Sequence, residues 1–235
     1  MAGACPENIM STLTNILAGI EAEAKRAPFD VDTAVYKRAR RPVTSPVLVA
    51  GNVEAPLCLF ARDLGQEEVL RGQPLIGSAG RRVRRALFER LYPGKTPDPP
   101  VYTAVLQHVL FTNTVPFKPA GNKEYDRETK SRFRPFIEEL LVNVWTGHDL
   151  IPMGEGAFKW FAPYAEKGEV VAFWEDRARR FHGTMEVTLT ATDNGERSEK
   201  RVTLAPIPHP SPRSPFMAEF PELLEQRLDQ FLPSS

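Results

Sequence analysis

Apolar and polar residues alternate along the first third of the chain in patterns that favour one long helix and two short strands. Residues 11–27 place their apolar side chains on one stripe of a helix. The runs 47–50 and 57–61 are short and apolar, and the second is apolar throughout, which favours a strand buried on both faces. Between the helix and the first of these runs, residues 28–46 are polar and irregular. We therefore expect residues 1–45 to form a helical extension on the core.

The pattern changes after residue 61. Residues 62–80 contain four glycines and lack a hydrophobic period, which predicts a loop. Residues 78–91 predict a helix with Val83, Leu87 and Leu91 on its buried side and Ser78 as its cap. A strand that leads into a glycine-bearing loop is where α/β proteins bind ligands.

The second half of the chain continues the alternation of strands and helices. Four segments carry it: strands at 105–112 and 150–153, and helices at 131–145 and 156–161. Segments 186–190 and 201–207 flank a turn at 193–195 and predict a β-hairpin. A closing helix starts at Pro221. We predict a single domain over residues 1–235, a three-layer αβα sandwich with a mostly parallel central sheet and a β-hairpin near the C-terminus.

Composition excludes several classes of protein. No run of 18 apolar residues is present, so we expect no membrane span. The two cysteines are too few for a disulfide scaffold or a four-cysteine metal site, and they fit a reducing cytoplasm. The four histidines show no ligand spacing, so we expect neither a metal nor another cofactor.

Charge is balanced over the whole chain but not locally. Lys plus Arg and Asp plus Glu number 30 each, whereas residues 71–95 contain six arginines and one lysine but a single acid, Glu89. Four of these arginines crowd the first half of the 78–91 helix: Arg81, Arg82, Arg84 and Arg85. Cations oppose the helix dipole there, unless an anion such as phosphate binds at that end. A solvated basic face is the alternative.

A proline-rich segment near the C-terminus holds one histidine in a stiff backbone. Residues 206–215 read PIPHPSPRSP, and proline fixes φ and excludes helix from the residue before it. His209 therefore projects from an extended segment, and Arg213 follows it. A catalytic group suits such a position because little entropy is lost when it acts. A proline-rich linker or ligand, or a structural loop, would have the same composition.

Three segments, in order, resemble motifs of the uracil-DNA glycosylase superfamily. Residues 72–80 (GQPLIGSAG) resemble the G-x-P-F-V-G-x-A-G segment of its iron–sulfur family, and residues 112–115 (TNTV) resemble the strand end T-N-V-V. Residues 209–213 (HPSPR) resemble the wedge loop of the uracil-excising and single-strand-selective families. The resemblance covers about residues 57–215 and implies hydrolysis of the N-glycosidic bond of uracil in DNA.

The resemblance implies a role for several residues. Asn113 would read the flipped base, and His209 would stabilise the base as it leaves. Arg213 would fill the gap in the duplex, with Ser211 beside it. The arginines at 81, 82, 84 and 85 would bind backbone phosphates.

The chain also departs from these motifs. Phe117 and Phe133 stand where the iron–sulfur family has two cluster cysteines. We therefore expect a branch without a cluster, in which these two rings lie in one apolar cluster. Arg62 stands at the position of the catalytic acid or asparagine, and Leu75 replaces an aromatic residue that stacks on the base. Side chains alternate along an extended segment, so Arg62 and Asp63 cannot both face the site. We expect the loop to be shifted by one residue, so that Asp63 faces the site and supplies the acid while Arg62 faces phosphate. Glu67 and Glu68 are the next candidates for the acid.

Two other functions fit the same residues. Because Arg62 replaces the acid, the protein could be a slow or non-catalytic binder of abasic or damaged DNA. A soluble nucleoside hydrolase is the second alternative, although the arginine-rich helix favours a polymer. We expect a monomer that binds single- or double-stranded DNA containing uracil or other deaminated bases.

Overall fold

The structure is a computed structural model that describes residues 6–96, 101–193, 195–211 and 214–232. Its centre is a sheet of six strands: β1 (Val49–Gly51), β2 (Leu57–Ala61), β3 (Val109–Asn113), β4 (Asp149–Pro152), β5 (Met185–Asp193) and β6 (Glu196–Leu204). Their order is β1-β3-β2-β4-β6-β5. The inner four strands run parallel, and the edge strands β1 and β5 run antiparallel to their neighbours. The predicted mostly parallel sheet is confirmed.

Helices cover both faces of this sheet. They are α1 (Pro6–Arg26), α2 (Thr33–Arg38), α3 (Gln66–Arg71), α4 (Ser78–Leu91), α5 (Arg127–Glu139), α6 (Glu155–Phe158), α7 (Glu169–Glu175) and α8 (Phe220–Phe231). The crossover from β2 to β3 and the crossover from β3 to β4 run in opposite directions along the sheet. Right-handed connections therefore place α4 and α5 on opposite faces. Helix α8 packs on α4, and α1 packs on α5, which completes the αβα sandwich.

The two strands β2 and β3 at the centre of the sheet are completely buried. The continuous apolar run of β2 predicts this for a strand covered on both faces, whereas β3 ends in two buried polar residues, Thr112 and Asn113. The register pairs Leu57 of β2 with Val109 of β3 and with Asp149 of β4. The three strands are therefore level, and their carboxyl ends lie at one edge.

The short helices α2 and α3 correct the prediction that their segments are irregular. Asp32 caps α2 by accepting a hydrogen bond from the Val35 amide (3.1 Å), and it also pairs with the Lys118 ammonium (2.9 Å). Helix α3 ends at Gly72, whose φ of 68° is left-handed. Neither helix shows a hydrophobic period in its sequence, so the pattern of apolar residues alone does not predict it.

Several boundaries also differ from prediction. Helix α4 has the predicted range, but Gly77 rather than Ser78 is its cap, and no side chain bonds there. A 3₁₀ helix (Val101–Gln107) replaces the first half of the predicted strand 105–112. The predicted hairpin is confirmed, and β5 and β6 pair along nine residues each. In the described part of the chain, no helix has an apolar stretch that would cross a bilayer.

Candidate active site

The carboxyl ends of β2, β3 and β4 form the floor of the site. The register pairs Ala61 with Asn113, so Arg62 begins the loop beside the end of β3. The proline-rich segment reaches the same edge because Ile207 forms a parallel bridge with Met153. Open α/β sheets bind their ligands at this position.

A cavity of about 440 Å³ opens at this edge, and we name it the central cavity. It brings together five residues that the sequence singled out: Arg62, Asp63, Leu75, Asn113 and His209. They come from four separate segments of the chain. The volume is in the range of small-ligand sites in proteins.

Asn113 lines this cavity and carries a buried polar atom without a partner. The residue ends β3 and is 2% exposed, and its Oδ1 has no hydrogen-bond partner among the described residues. Leaving a buried acceptor unpaired costs about 1–3 kcal/mol. A ligand with an N–H group would recover that free energy, and the amide can at the same time donate to a neighbouring carbonyl.

Leu75 forms one wall of the central cavity in a strained backbone conformation. Its φ is 52°, a left-handed value that is rare for a residue with a Cβ. Gly80 makes the conformation possible, because a Cβ at that position would lie 2.0 Å from the Leu75 carbonyl carbon. The position of this wall is therefore fixed by the backbone.

Two buried charged residues hold the 74–77 loop in this conformation. The Glu68 carboxylate accepts hydrogen bonds from the amides of Ile76 (3.1 Å) and Gly77 (2.7 Å). On the other side, the Arg84 guanidinium donates to the carbonyls of Leu75 (2.8 Å) and Pro74 (3.1 Å). Arg84 is 1% exposed, so it supports the loop and does not lie on the basic surface where the sequence placed it.

Arg62 and Asp63 form an ion pair at the mouth of the central cavity. Arg62 Nε donates to Asp63 Oδ2 at 2.6 Å, and Arg62 Nη1 lies 3.6 Å from Glu124 Oε2. The expectation that neighbours at 62 and 63 cannot both face the cavity is wrong, because the chain bends after β2 and both residues line it. Burial raises the pKa of Asp63 to about 6, although Arg62 opposes the shift.

His209 lies across the mouth from this pair. Burial, with a smaller contribution from the Arg62 charge, lowers the pKa of His209 to about 4, so the imidazole is neutral near pH 7. Gly154 has a φ of 86°, and a Cβ there would lie 2.9 Å from His209 Cβ. The ring is therefore packed closely against the loop after β4. Its backbone is fixed as well, since the Gly154 amide donates to the Ile207 carbonyl (2.9 Å).

The exposed arginines of α4 lie beside the central cavity. Arg81, Arg82 and Arg85 are exposed, and Ser78 and Ala79 at the start of α4 line the cavity. Arg82 Nη1 donates to the carbonyl of Pro210 (3.1 Å), which joins the basic helix to the proline-rich segment. Ser211 lines a neighbouring cavity, and Arg213 lies outside the described residues.

The family of the chain follows from its sequence over this fold. A family model for the uracil DNA glycosylase superfamily matches residues 48–231, which include every strand of the sheet. The chain belongs to this superfamily. A comparison with curated proteins found no matching sequence. Membership supports a DNA glycosylase function and binding to DNA.

Two residues of the site, Arg62 and His209, lie where three cavities meet. Arg62 and His209 line the central cavity and also two others, of about 690 and 790 Å³. The first of these, which we name the basic cavity, contains four cations that the sequence did not single out: Arg127, Lys130, Arg134 and Lys159. They lie on α5 and directly after α6, where the sequence has no run of consecutive basic residues.

Two other acids near the site are already engaged. Glu67 and Glu68 were the alternatives to Asp63 as the acid. Glu67 lies 3.6 Å from Arg71, and Glu68 binds the amides of the 74–77 loop. Of the carboxylates around Arg62, Glu124 is the one that the sequence did not reveal.

The aromatic residues at the two cluster-cysteine positions of the iron–sulfur glycosylases lie in contact. The ring centroids of Phe117 and Phe133 are 5.2 Å apart, and Phe29 lies 5.0 and 5.2 Å from them. This predicted contact is confirmed. No group of three or more metal-ligating side chains occurs within the described ranges, and two cysteines are too few for four thiolate ligands.

Proposed function

We propose that the protein is a monofunctional DNA glycosylase, acting as a monomer, that releases uracil and other deaminated bases from DNA. The observation that carries the proposal is the buried, unpaired Oδ1 of Asn113, a residue that lines the same cavity as the neutral His209. Uracil offers an imide N–H to Oδ1 and a carbonyl to the amide of Asn113. The neighbouring Leu75 contributes an apolar wall.

The substrate nucleotide must leave the base stack to reach this cavity. Enzymes that act on bases in duplex DNA extrude the nucleotide at a cost of a few kcal/mol. The exposed arginines 81, 82 and 85, with Ser211, would bind the phosphates around it, and Arg213 would occupy the gap in the duplex. The bond from Arg82 to Pro210 supports this arrangement, since it links the phosphate-binding helix to the segment that carries His209.

His209 would act on the leaving base. As the C1′–N bond breaks, its electron pair moves onto the base and negative charge develops on O2. A neutral imidazole can donate one N–H to that oxygen, as an oxyanion-hole donor does, for a factor of about 10²–10³ in rate. Because the pKa of His209 is low, the ring is neutral near pH 7. It therefore stabilises the leaving base by a hydrogen bond and keeps its own proton.

Asp63 would offset the positive charge that develops on the sugar. Its carboxylate also holds Arg62, whose own cation would otherwise repel the oxocarbenium. With Asp63 and Glu124 on either side, the guanidinium is partly neutralised. We therefore propose catalysis that is slower than in enzymes with an acid or asparagine at position 62.

Leu75 supports a broad base spectrum. An aliphatic wall does not stack on a pyrimidine as an aromatic ring does, and stacking is worth about 1–3 kcal/mol per base. Larger deaminated bases would therefore compete well with uracil. Excision limited to uracil would contradict this part of the proposal.

Release of the free base from a short labelled oligonucleotide tests the proposal. We would compare single- and double-stranded DNA containing uracil, hypoxanthine or xanthine, with free deoxyuridine as a control substrate. Release from DNA but not from deoxyuridine supports the glycosylase. Tight binding to abasic DNA without base release would instead support a non-catalytic binder of damaged DNA, the alternative suggested by Arg62 in place of the acid. Cleavage of deoxyuridine would support a nucleoside hydrolase.

A further inference from the structure

We infer that Glu124 is a catalytic residue that orients the water attacking the sugar. The inference rests on the proposed glycosylase function and adds a carboxylate to its site. Glu124 comes from the segment between β3 and α5, whereas the acid of the resembled motif follows β2. The structure therefore assigns water activation to a different loop.

Two glycines place Glu124 beside His209. A Cβ built on Gly156 would lie 2.8 Å from both Arg62 Cδ and Glu124 Oε1, whereas one built on Gly154 would lie 2.9 Å from His209 Cβ. The two glycines are two residues apart, so their Cα atoms are separated by at most about 7 Å. Glu124 and His209 thus pack against the same short segment, residues 154–156, at the start of α6.

The mouth of the central cavity lies between these two side chains. Arg62, Met153 and His209 line both the central cavity and the basic cavity, and Glu124 lines the basic cavity. A base held by Asn113 would place its sugar at this shared mouth. The carboxylate of Glu124 is then on the side of the sugar from which solvent enters.

Exposure distinguishes Glu124 from Asp63. The Asp63 side chain is 5% exposed, its Oδ2 accepts from Arg62, and its Oδ1 is buried. Asp63 therefore offers solvent far less of its side chain than Glu124 does. Glu124 is 39% exposed and has lone pairs available beyond its contacts with Arg62 and Lys130.

Two cations hold the Glu124 carboxylate in place. Lys130 pairs with Oε1, and Arg62 Nη1 lies 3.6 Å from Oε2. In the proposed step, the C1′–N bond breaks and its electron pair leaves with the base. The water oxygen bonds to C1′, and its proton passes to Glu124 and from there to solvent, so the charges balance once the base anion takes up a proton.

The test compares two carboxylates of the same cavity. Glu124→Gln should lower the single-turnover rate of uracil release by about 10²-fold, the order expected for a general base. Glu155→Gln is the matched control, because Glu155 lines the basic cavity and pairs with Lys159 (2.5 Å). This control should stay within about twofold of wild type. Affinity for uracil-containing DNA should not weaken in either variant, because each removes a negative charge.

Rescue by a small carboxylate separates chemistry from positioning. Glu124→Ala should regain part of its rate in sodium formate but not in sodium chloride of equal ionic strength, while Asp63→Asn should show no rescue. Equal losses in Glu124→Gln and Glu155→Gln, a loss confined to DNA affinity, or the absence of rescue would overturn the inference. Wild-type protein that binds DNA but releases no base would overturn both the inference and the proposed function.

Discussion

Burial sets the chemistry of single residues at this site. It lowers the pKa of His209 to about 4 and raises that of Asp63 to about 6, so near neutral pH the histidine is uncharged and the carboxyl is ionised. Asn113 and His209 could be predicted from sequence because each stands in a recognisable local setting, a strand end and a proline-rich segment. The proposed role of Glu124 could not, since its proximity to Arg62 depends on how the segment after β3 and the loop after β2 meet over Gly156.

His209→Ala should lower base release by about 10²–10³-fold, because the donor to the leaving base is lost. Affinity for DNA should change little, since no phosphate contact is removed. Single-turnover excision and fluorescence anisotropy on one oligonucleotide would measure the two effects. His148→Ala is a suitable control, because His148 is exposed at the opposite end of β4. Near wild-type turnover by His209→Ala would favour a structural role for the proline-rich segment.

Asp63→Asn should cost at least about tenfold in excision rate and should alter the pH profile. In wild type, the rate should fall as the pH drops through about 6, because Asp63 becomes protonated and no longer offsets the Arg62 and sugar charges. His209 remains neutral down to about pH 4 and adds no limb in this range. The variant should lack the limb near pH 6. Persistence of that limb in the variant would assign it to another group.

At the scale of elements, prediction succeeded where a hydrophobic stripe was long. Helix α4 has the predicted range, whereas α2, α3 and α7 have six or seven residues each and escaped prediction. Such short helices are unstable alone and depend on tertiary contacts, which a sequence pattern does not contain. The 74–77 loop is similar, because its conformation depends on Glu68 and Arg84.

The exposed face of α4 should account for part of the salt dependence of DNA binding. Arg81→Gln and Arg85→Gln should each reduce the slope of log K against log salt by about 0.7 on single-stranded DNA, one phosphate contact per residue. Arg90→Gln is the control on the same helix, since the Arg90 side chain is 17% exposed whereas that of Arg85 is 66% exposed. Binding titrations between low and moderate salt would give the slopes. Unchanged slopes would identify this face as merely solvated.

The 74–77 loop should determine both stability and base selectivity. Glu68→Gln leaves the amides of Ile76 and Gly77 with a weaker acceptor, and we expect a loss of about 1–3 kcal/mol in the free energy of unfolding. Because the loop positions Leu75, selectivity between uracil and larger bases should also fall. Glu175→Gln, at the exposed C-terminal end of α7 and outside the central cavity, should change neither quantity. Urea denaturation and a base panel would measure them, and unaltered selectivity in a destabilised variant would limit Glu68 to a structural role.

At the scale of the whole molecule, the alternation of strands and helices was enough to predict the parallel sheet and the edge at which the loops meet. The order of the strands follows from short right-handed connections, which few alternatives satisfy. The cavities could not be predicted, because their linings combine residues from four or more segments. The N-terminal extension is part of this assembly, since Arg132 of α5 binds Glu23 of α1 (2.8 Å) and Phe29 packs on Phe117.

The aromatic contact of Phe29, Phe117 and Phe133 should stabilise the fold in place of a metal cluster. The three ring centroids lie 5.0 to 5.2 Å from one another, and Phe117 and Phe133 are fully buried. Phe133→Ala should therefore cost about 3–5 kcal/mol in the free energy of unfolding. The exposed Val171→Ala should cost less than about 0.5 kcal/mol and serves as the control. Purified wild-type protein should contain no iron and show no visible absorption. Stoichiometric iron, or a negligible effect of Phe133→Ala, would mean that these rings do not replace the cluster.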